Sequence, residues 1–190
     1  MAEEVEALRA AVARQRREPP LGWPGLVAWE ARHGVVLPEP YRTFVAEIAD
    51  GCSLRLSSAE GPLLPLGRLP ESWHRWDSVN WLSPEPFDSR APRDPAAPFP
   101  LAEEWQWEYE FDPEEHVALM ASLHRDGSLI LGAEEPGSYW ALITAGPQRG
   151  NIWLLADGIA FPCTGLDRDC GHVLGFLEWV GQWQDPVSDL

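Results

Sequence analysis

The chain has 190 residues, with 30 acidic residues against 14 arginines and no lysine, and therefore a formal charge of −16 at pH 7. This acidity argues against a general nucleic-acid binder and against docking on anionic membranes, because binding to phosphates or to an anionic surface gains affinity from cations. It favours encounter with a basic partner. Length and a 45% hydrophobic content predict a single domain with a sizeable core. Three cysteines, no leader pattern and no membrane-spanning stretch predict a cytoplasmic protein without a disulfide framework.

The first quarter of the chain predicts three helices. Residues 2–18 form an amphipathic segment, so residues 1–21 are expected to be an arm that is either docked or mobile. A second helix begins at Pro24 and ends at His33, where Gly34 supplies the left-handed cap. The third begins at Pro38 and ends at residues 50–51. The apolar positions at helical spacing are Val5, Leu8 and Val12 in the first helix and Tyr41, Phe44, Val45 and Ile48 in the third.

Turn signals and apolar runs predict an antiparallel sheet in the rest of the chain. Short strands are predicted at Ser53–Leu56 and Leu63–Leu66, and one or two helical turns within residues 70–82. Six prolines make residues 83–100 a predicted loop insertion. Asp126-Gly127 predicts a hairpin, and a closing helix is predicted from the spacing of Val173, Phe176, Leu177 and Val180. The further predicted strands are Val117–Arg125, Ser128–Leu131, Ser138–Thr144, Asn151–Leu155 and Ile159–Phe161.

The second and third predicted helices carry one ordered motif. It reads Trp29-Glu30-x-x-His33-Gly34-x-x-Leu37-Pro38-x-x-Tyr41-x-x-Phe44 and closes on Asp50-Gly51. This order resembles the opening signature of the SUKH superfamily, whose founding group is the cell-wall-assembly-regulator (Smi/Knr-type) domain. The family has Asn-Gly where this chain has Asp50-Gly51. The resemblance covers residues 22–184, with residues 185–190 left as a tail, and the motif residues are expected to be mainly structural.

The resemblance implies a fold class and a function. The fold is a single α+β domain in which N-terminal helices and a C-terminal helix pack on a mostly antiparallel twisted sheet. The function is non-enzymatic protein binding, most often as an immunity protein that neutralises a cognate polymorphic toxin such as a nuclease. The alternative is a regulatory scaffold in which residues 1–18 and the Pro-rich loop recruit partners. A small-molecule enzyme is the remote alternative, and the family supplies no catalytic residues.

Residues 103–115 are the most unusual local feature, with seven acidic residues in thirteen. Aromatic residues alternate with polar ones from Trp105 to Asp112, which predicts a strand with carboxylates on one face. Such a strand either protects a sheet edge or meets the basic surface of a toxin. The predicted partner-binding acidic residues are Glu103, Glu104, Glu108, Glu110, Asp112, Glu114 and Glu115.

Other candidate residues are fewer. Trp73, Trp76 and Trp81 border the Pro-rich insertion and would be interface anchors if they are exposed. Cys163, Cys170 and His172 have a spacing that matches none of the compact zinc motifs. The sequence therefore predicts no metal, no cofactor and no catalytic residue.

Overall fold

A computed structural model describes residues 2–54, 62–73, 91–107, 113–156, 158–164 and 172–182. Together these residues form a single α+β domain, which confirms the predicted fold class. The helices are α1 (Ala2–Ala11), α2 (Gly22–His33), α3 (Tyr41–Glu47), α4 (Pro113–Arg125) and α5 (Phe176–Gly181). The strands are β1 (Trp105–Gln106), β2 (Ser128–Glu135), β3 (Ser138–Ile143), β4 (Ile152–Ala156) and β5 (Ile159–Pro162).

The five strands form one antiparallel sheet in the order β1-β5-β4-β3-β2. The central strands are hairpin neighbours, with Trp140 opposite Leu154 and Leu155 opposite Ala160. These strands match those predicted after residue 127. The short strand β1 occupies one edge of the sheet, so its outer side is a natural place for charged residues.

Both faces of the sheet are covered, and every residue of β3 is buried. Alternate residues enter two separate cores because successive side chains of a strand point to opposite faces. Trp140 and Leu142 face the core built with α1, α2, α3 and α5. Tyr139 and Ala141 face the second core, which contains residues of α4 together with Trp73 and Phe99. The predicted Pro-rich loop therefore contributes a buried residue to this second core.

The predicted strand over residues 117–125 is wrong, because these residues belong to helix α4. Pro113 is tolerated in the first turn, and Glu114 and Glu115 suit its positive end. Apolar spacing within α4 also fits a helix, since Met120 and Leu123 are both buried. Asp126 and Gly127 consequently connect α4 to β2, and they do not form a hairpin.

The acidic segment is described only in part. Within its described residues, Trp105–Gln106 form a strand, and Glu114 and Glu115 lie on α4. The alternation from residue 108 to residue 112 lies outside the described residues.

Helices α1 and α3 are shorter than predicted, and the arm is docked. Helix α1 ends at Ala11, and α3 begins at Tyr41. Leu8 and Val12 are fully buried, and α1 packs against α5 and α3. An isolated bridge between Leu63 and Cys52 stands in place of the predicted strand over residues 63–66. Half of the other predicted strand, residues 55–56, lies outside the described residues.

Candidate functional site

Glu30 of the motif joins α2 to the segment that follows it. Its side chain is only 6% exposed. The Oε1 atom accepts hydrogen bonds from the backbone N–H of Leu37 at 2.9 Å and from Nε of Arg42 at 2.8 Å, and Oε2 accepts from Nη2 of Arg42 at 3.0 Å. The hydrogen bond from Arg42 is the main reason that the pKa of Glu30 is lowered. We call Glu30, Leu37 and Arg42 the clamp, and it fixes the start of α3 relative to α2.

Several other residues of the motif are also packed or hydrogen-bonded within the domain. Tyr41 and Phe44 lie edge-on to Phe176 of α5, with ring centroids 4.9 and 5.2 Å apart. Asp50 accepts a hydrogen bond from the backbone of Leu66 at 2.7 Å. Gly51 has φ +94° and faces backbone at a distance that excludes a Cβ atom. Leu37 and Pro38 are buried, so these two residues offer little surface to a partner.

Four of the predicted partner-binding acidic residues are among the residues that the structure describes. Glu103 and Glu104 directly precede β1, and both are exposed. Glu114 and Glu115 are exposed in the first turn of α4. We call Glu103 and Glu104 the acidic edge. Three more of the predicted acidic residues lie outside the described residues, namely Glu108, Glu110 and Asp112.

Trp73 is not an interface anchor. It is 1% exposed and packs against Tyr139 and His124, with ring centroids 4.8 and 5.4 Å apart. The guanidinium of Arg93 lies 5.2 Å from its ring centroid. Trp76 and Trp81 lie outside the described residues. The bordering insertion misled the prediction, because part of that insertion packs on the sheet and covers Trp73.

Sequence reasoning missed an exposed aromatic residue on α2. Trp23 is 37% exposed, and Val27, one turn later, is 50% exposed. The indole N–H of Trp23 donates to Glu47 at 3.0 Å, and Arg42 lies over its ring at 5.0 Å. Positions 23 and 27 are one turn apart on α2, so the sequence places them on one face of the helix.

A cleft of about 520 Å³ opens beside α2. Its walls come from α2, the turn at residues 66–69, the loop at residues 91–95 and the start of β2. The charged or titratable residues lining it are His33, Arg68 and Arg93. No sequence pattern predicted this cleft, because its residues are drawn from four separate segments.

The described residues provide no metal site. No group of three or more His, Cys, Asp or Glu residues among them could hold a metal ion. Cys163 is buried, and His172 is within 3.0 Å of Glu178. Cys170 lies outside the described residues. No helix in the described ranges has the length and apolar character needed to cross a membrane.

Comparison with protein-family models, with curated proteins and with solved structures yields no match for this chain.

Proposed function

We propose that this chain is a non-enzymatic protein-binding module of the SUKH type. In the cytoplasm it would act as an immunity protein that neutralises a cognate toxin with a basic surface, such as a nuclease. The observation that carries the proposal is the acidic edge, where Glu103 and Glu104 stand exposed beside an edge strand. The motif that resembles the SUKH signature supports the assignment of the domain type.

The composition of the acidic edge supports a binding role. Neither Glu103 nor Glu104 forms a side-chain hydrogen bond or ion pair with another described residue, and both side chains are exposed. Their carboxylates therefore contribute little to folding, and mutual repulsion between adjacent charges opposes it. Such residues are available to a partner at no cost in packing.

Charge also suggests how inhibition would work. A nuclease holds phosphates with Lys and Arg side chains, and carboxylates can occupy the same cations. Complementary charge mainly raises the association rate, and the bulk of the bound domain then blocks access to the substrate. No bond is made or broken, so the chain itself needs no catalytic residue.

The test measures binding to the toxin domain encoded beside this gene in its native genome. A double variant, Glu103→Lys with Glu104→Lys, should slow association about tenfold or more at low salt. The control is Glu18→Lys with Glu135→Lys, which changes the net charge equally at two other exposed positions. The control should slow association much less, because only the charge next to the contact steers docking.

Two results would overturn the proposal. Failure to bind any neighbouring toxin domain would remove the immunity role. Equal slowing by both double variants would remove the acidic edge as the contact surface. The regulatory-scaffold alternative predicts a third pattern, in which neither charge reversal matters and removal of residues 1–18 abolishes recruitment. Because Leu8 and Val12 are core residues, that deletion must be checked for folding first.

A further inference from the structure

The cleft beside α2 combines an aromatic wall with cationic groups. Trp29 and His33 are stacked on one side, with ring centroids 3.9 Å apart and an interplanar angle of 23°. Arg68 and Arg93 lie among the residues on the other walls, and none of the described lining residues is acidic. This is unusual in a chain with 30 acidic residues and only 14 arginines.

Arg93 is partly buried, and its neighbours balance its charge poorly. Its guanidinium donates to the backbone oxygen of His124, and to the backbone oxygen and Oγ of Ser128 at 3.0 and 2.7 Å. These acceptors are neutral, and no described carboxylate accepts a hydrogen bond from Arg93. Asp126 acts on it only through space, because Arg125 holds both Asp126 oxygens at 2.8 Å.

The consequence is visible in its protonation equilibrium. Burial lowers the pKa of Arg93 to about 10, and the negative charge of Asp126 opposes that shift only in part. A guanidinium normally stays protonated far above this value. An anion that enters the cleft would restore the balance, because an opposite charge favours the protonated form.

Two further groups are open to a ligand. Nδ1 of His33 donates to the backbone oxygen of Trp29 at 2.8 Å, which leaves Nε2 without a hydrogen bond to a described residue. Arg68 is exposed, and within the described ranges its guanidinium makes no hydrogen bond or ion pair. Only its backbone is held, by a hydrogen bond from its N–H to the oxygen of Pro65 at 3.0 Å.

We propose that this cleft binds a small organic anion whose carboxylate or phosphate lies near Arg68 and Arg93 and whose flat apolar body lies against Trp29 and His33. A volume of about 520 Å³ is of the size that small-molecule sites have. The exposed guanidinium of Arg68 provides the direct contact, and the partly buried guanidinium of Arg93 adds attraction. The site is separate from the acidic edge, so it does not depend on the proposed toxin partner.

The experiment follows the tryptophan indole signals of the full chain by ¹H–¹⁵N NMR. Benzoate and phenyl phosphate are the probes, inorganic phosphate tests the need for a flat body, and benzyl alcohol tests the need for charge. The Trp29 signal is assigned from a Trp29→Phe variant. We expect saturable shifts of that signal with benzoate or phenyl phosphate at a Kd of about 1 mM or tighter.

Variants then locate the anion. Arg68→Ala should weaken binding about tenfold and leave the fold intact, since its side chain is exposed and forms no hydrogen bond or ion pair with a described residue. The control Arg32→Ala removes an exposed arginine that lies on α2 and outside the cleft. It should leave the Kd unchanged. Equal binding of benzyl alcohol, equal affinity of the Arg68 variant, or the absence of saturable shifts with both aromatic anions would overturn the proposal.

Discussion

Removing the clamp through the single substitution Glu30→Ala should strongly destabilise the domain. Glu30→Ala leaves the backbone N–H of Leu37 buried without its acceptor, at a cost of about 1–3 kcal/mol. It also removes a two-point contact with Arg42, whose side chain is 24% exposed and can recover part of the loss from water. We expect a total loss of about 3 kcal/mol, since charged hydrogen bonds contribute about 1.5–3 kcal/mol each before such recovery.

Glu30→Gln should lower the unfolding free energy by less than Glu30→Ala does. Both Leu37 N and Arg42 Nε bind Oε1, so an amide oxygen placed there keeps these two hydrogen bonds. The amide nitrogen would then face Nη2 of Arg42, and two donors would meet. We therefore expect a loss of about 2 kcal/mol, made up of one charged hydrogen bond and the attraction between the charges.

The assay is urea denaturation followed by tryptophan fluorescence, with midpoint and slope fitted separately. The control Glu18→Ala removes one exposed carboxylate and should change the unfolding free energy by less than about 0.5 kcal/mol. In a chain of this length the Glu30→Ala loss corresponds to a Tm about 9 °C lower. An effect of Glu30→Ala no larger than that of Glu18→Ala would refute the role of the clamp.

Three further predictions concern the second core. Gly127→Ala should lower the unfolding free energy in urea by more than about 3 kcal/mol, because a Cβ atom would overlap the backbone of Phe99. Its control is Gly137→Ala, also at positive φ but in open space, which should lower the unfolding free energy by about 1–2 kcal/mol. Trp73→Ala should cost about 3–5 kcal/mol by the same assay, as a core residue does. Between pH 7 and pH 5 the unfolding free energy should fall by about 2 kcal/mol. Burial holds the pKa of His124 at about 4 in the folded protein, so the unfolded chain takes up the proton first as the pH falls. His124→Gln should abolish this dependence of the unfolding free energy on pH.

Local patterns were sufficient where a segment's signals agreed with each other. The predicted helix from Pro24 to His33 closely matches α2, and Gly34 caps it with φ 65°. The hairpins from β3 to β5 match the predicted strands to within one or two residues at each end. In these segments the turn residue, the apolar period and the buried face all point to the same structure, so little was left for distant contacts to decide.

Helix α4 shows where local reasoning failed. A glycine with positive φ serves both a tight hairpin and the end of a helix, so Asp126-Gly127 could not distinguish them. What decides is a distant segment: the N–H of Asp94 donates to the oxygen of Arg125, and the N–H of Gly127 donates to the oxygen of Asp94. The loop of residues 94–99 crosses at this point and closes the end of the helix.

The candidate sites divide in the same way. Sequence alone predicted the acidic character of residues 103 and 104 and the motif from Trp29 to Gly51, because charge and order are written in neighbouring residues. Tertiary structure decided the roles of these residues. Trp73 is buried, Glu30 is part of the clamp, and Arg93 lines a cleft that distant segments form. Burial and charge balance depend on residues far apart in the chain, and those distances are set only when both faces of the sheet are covered.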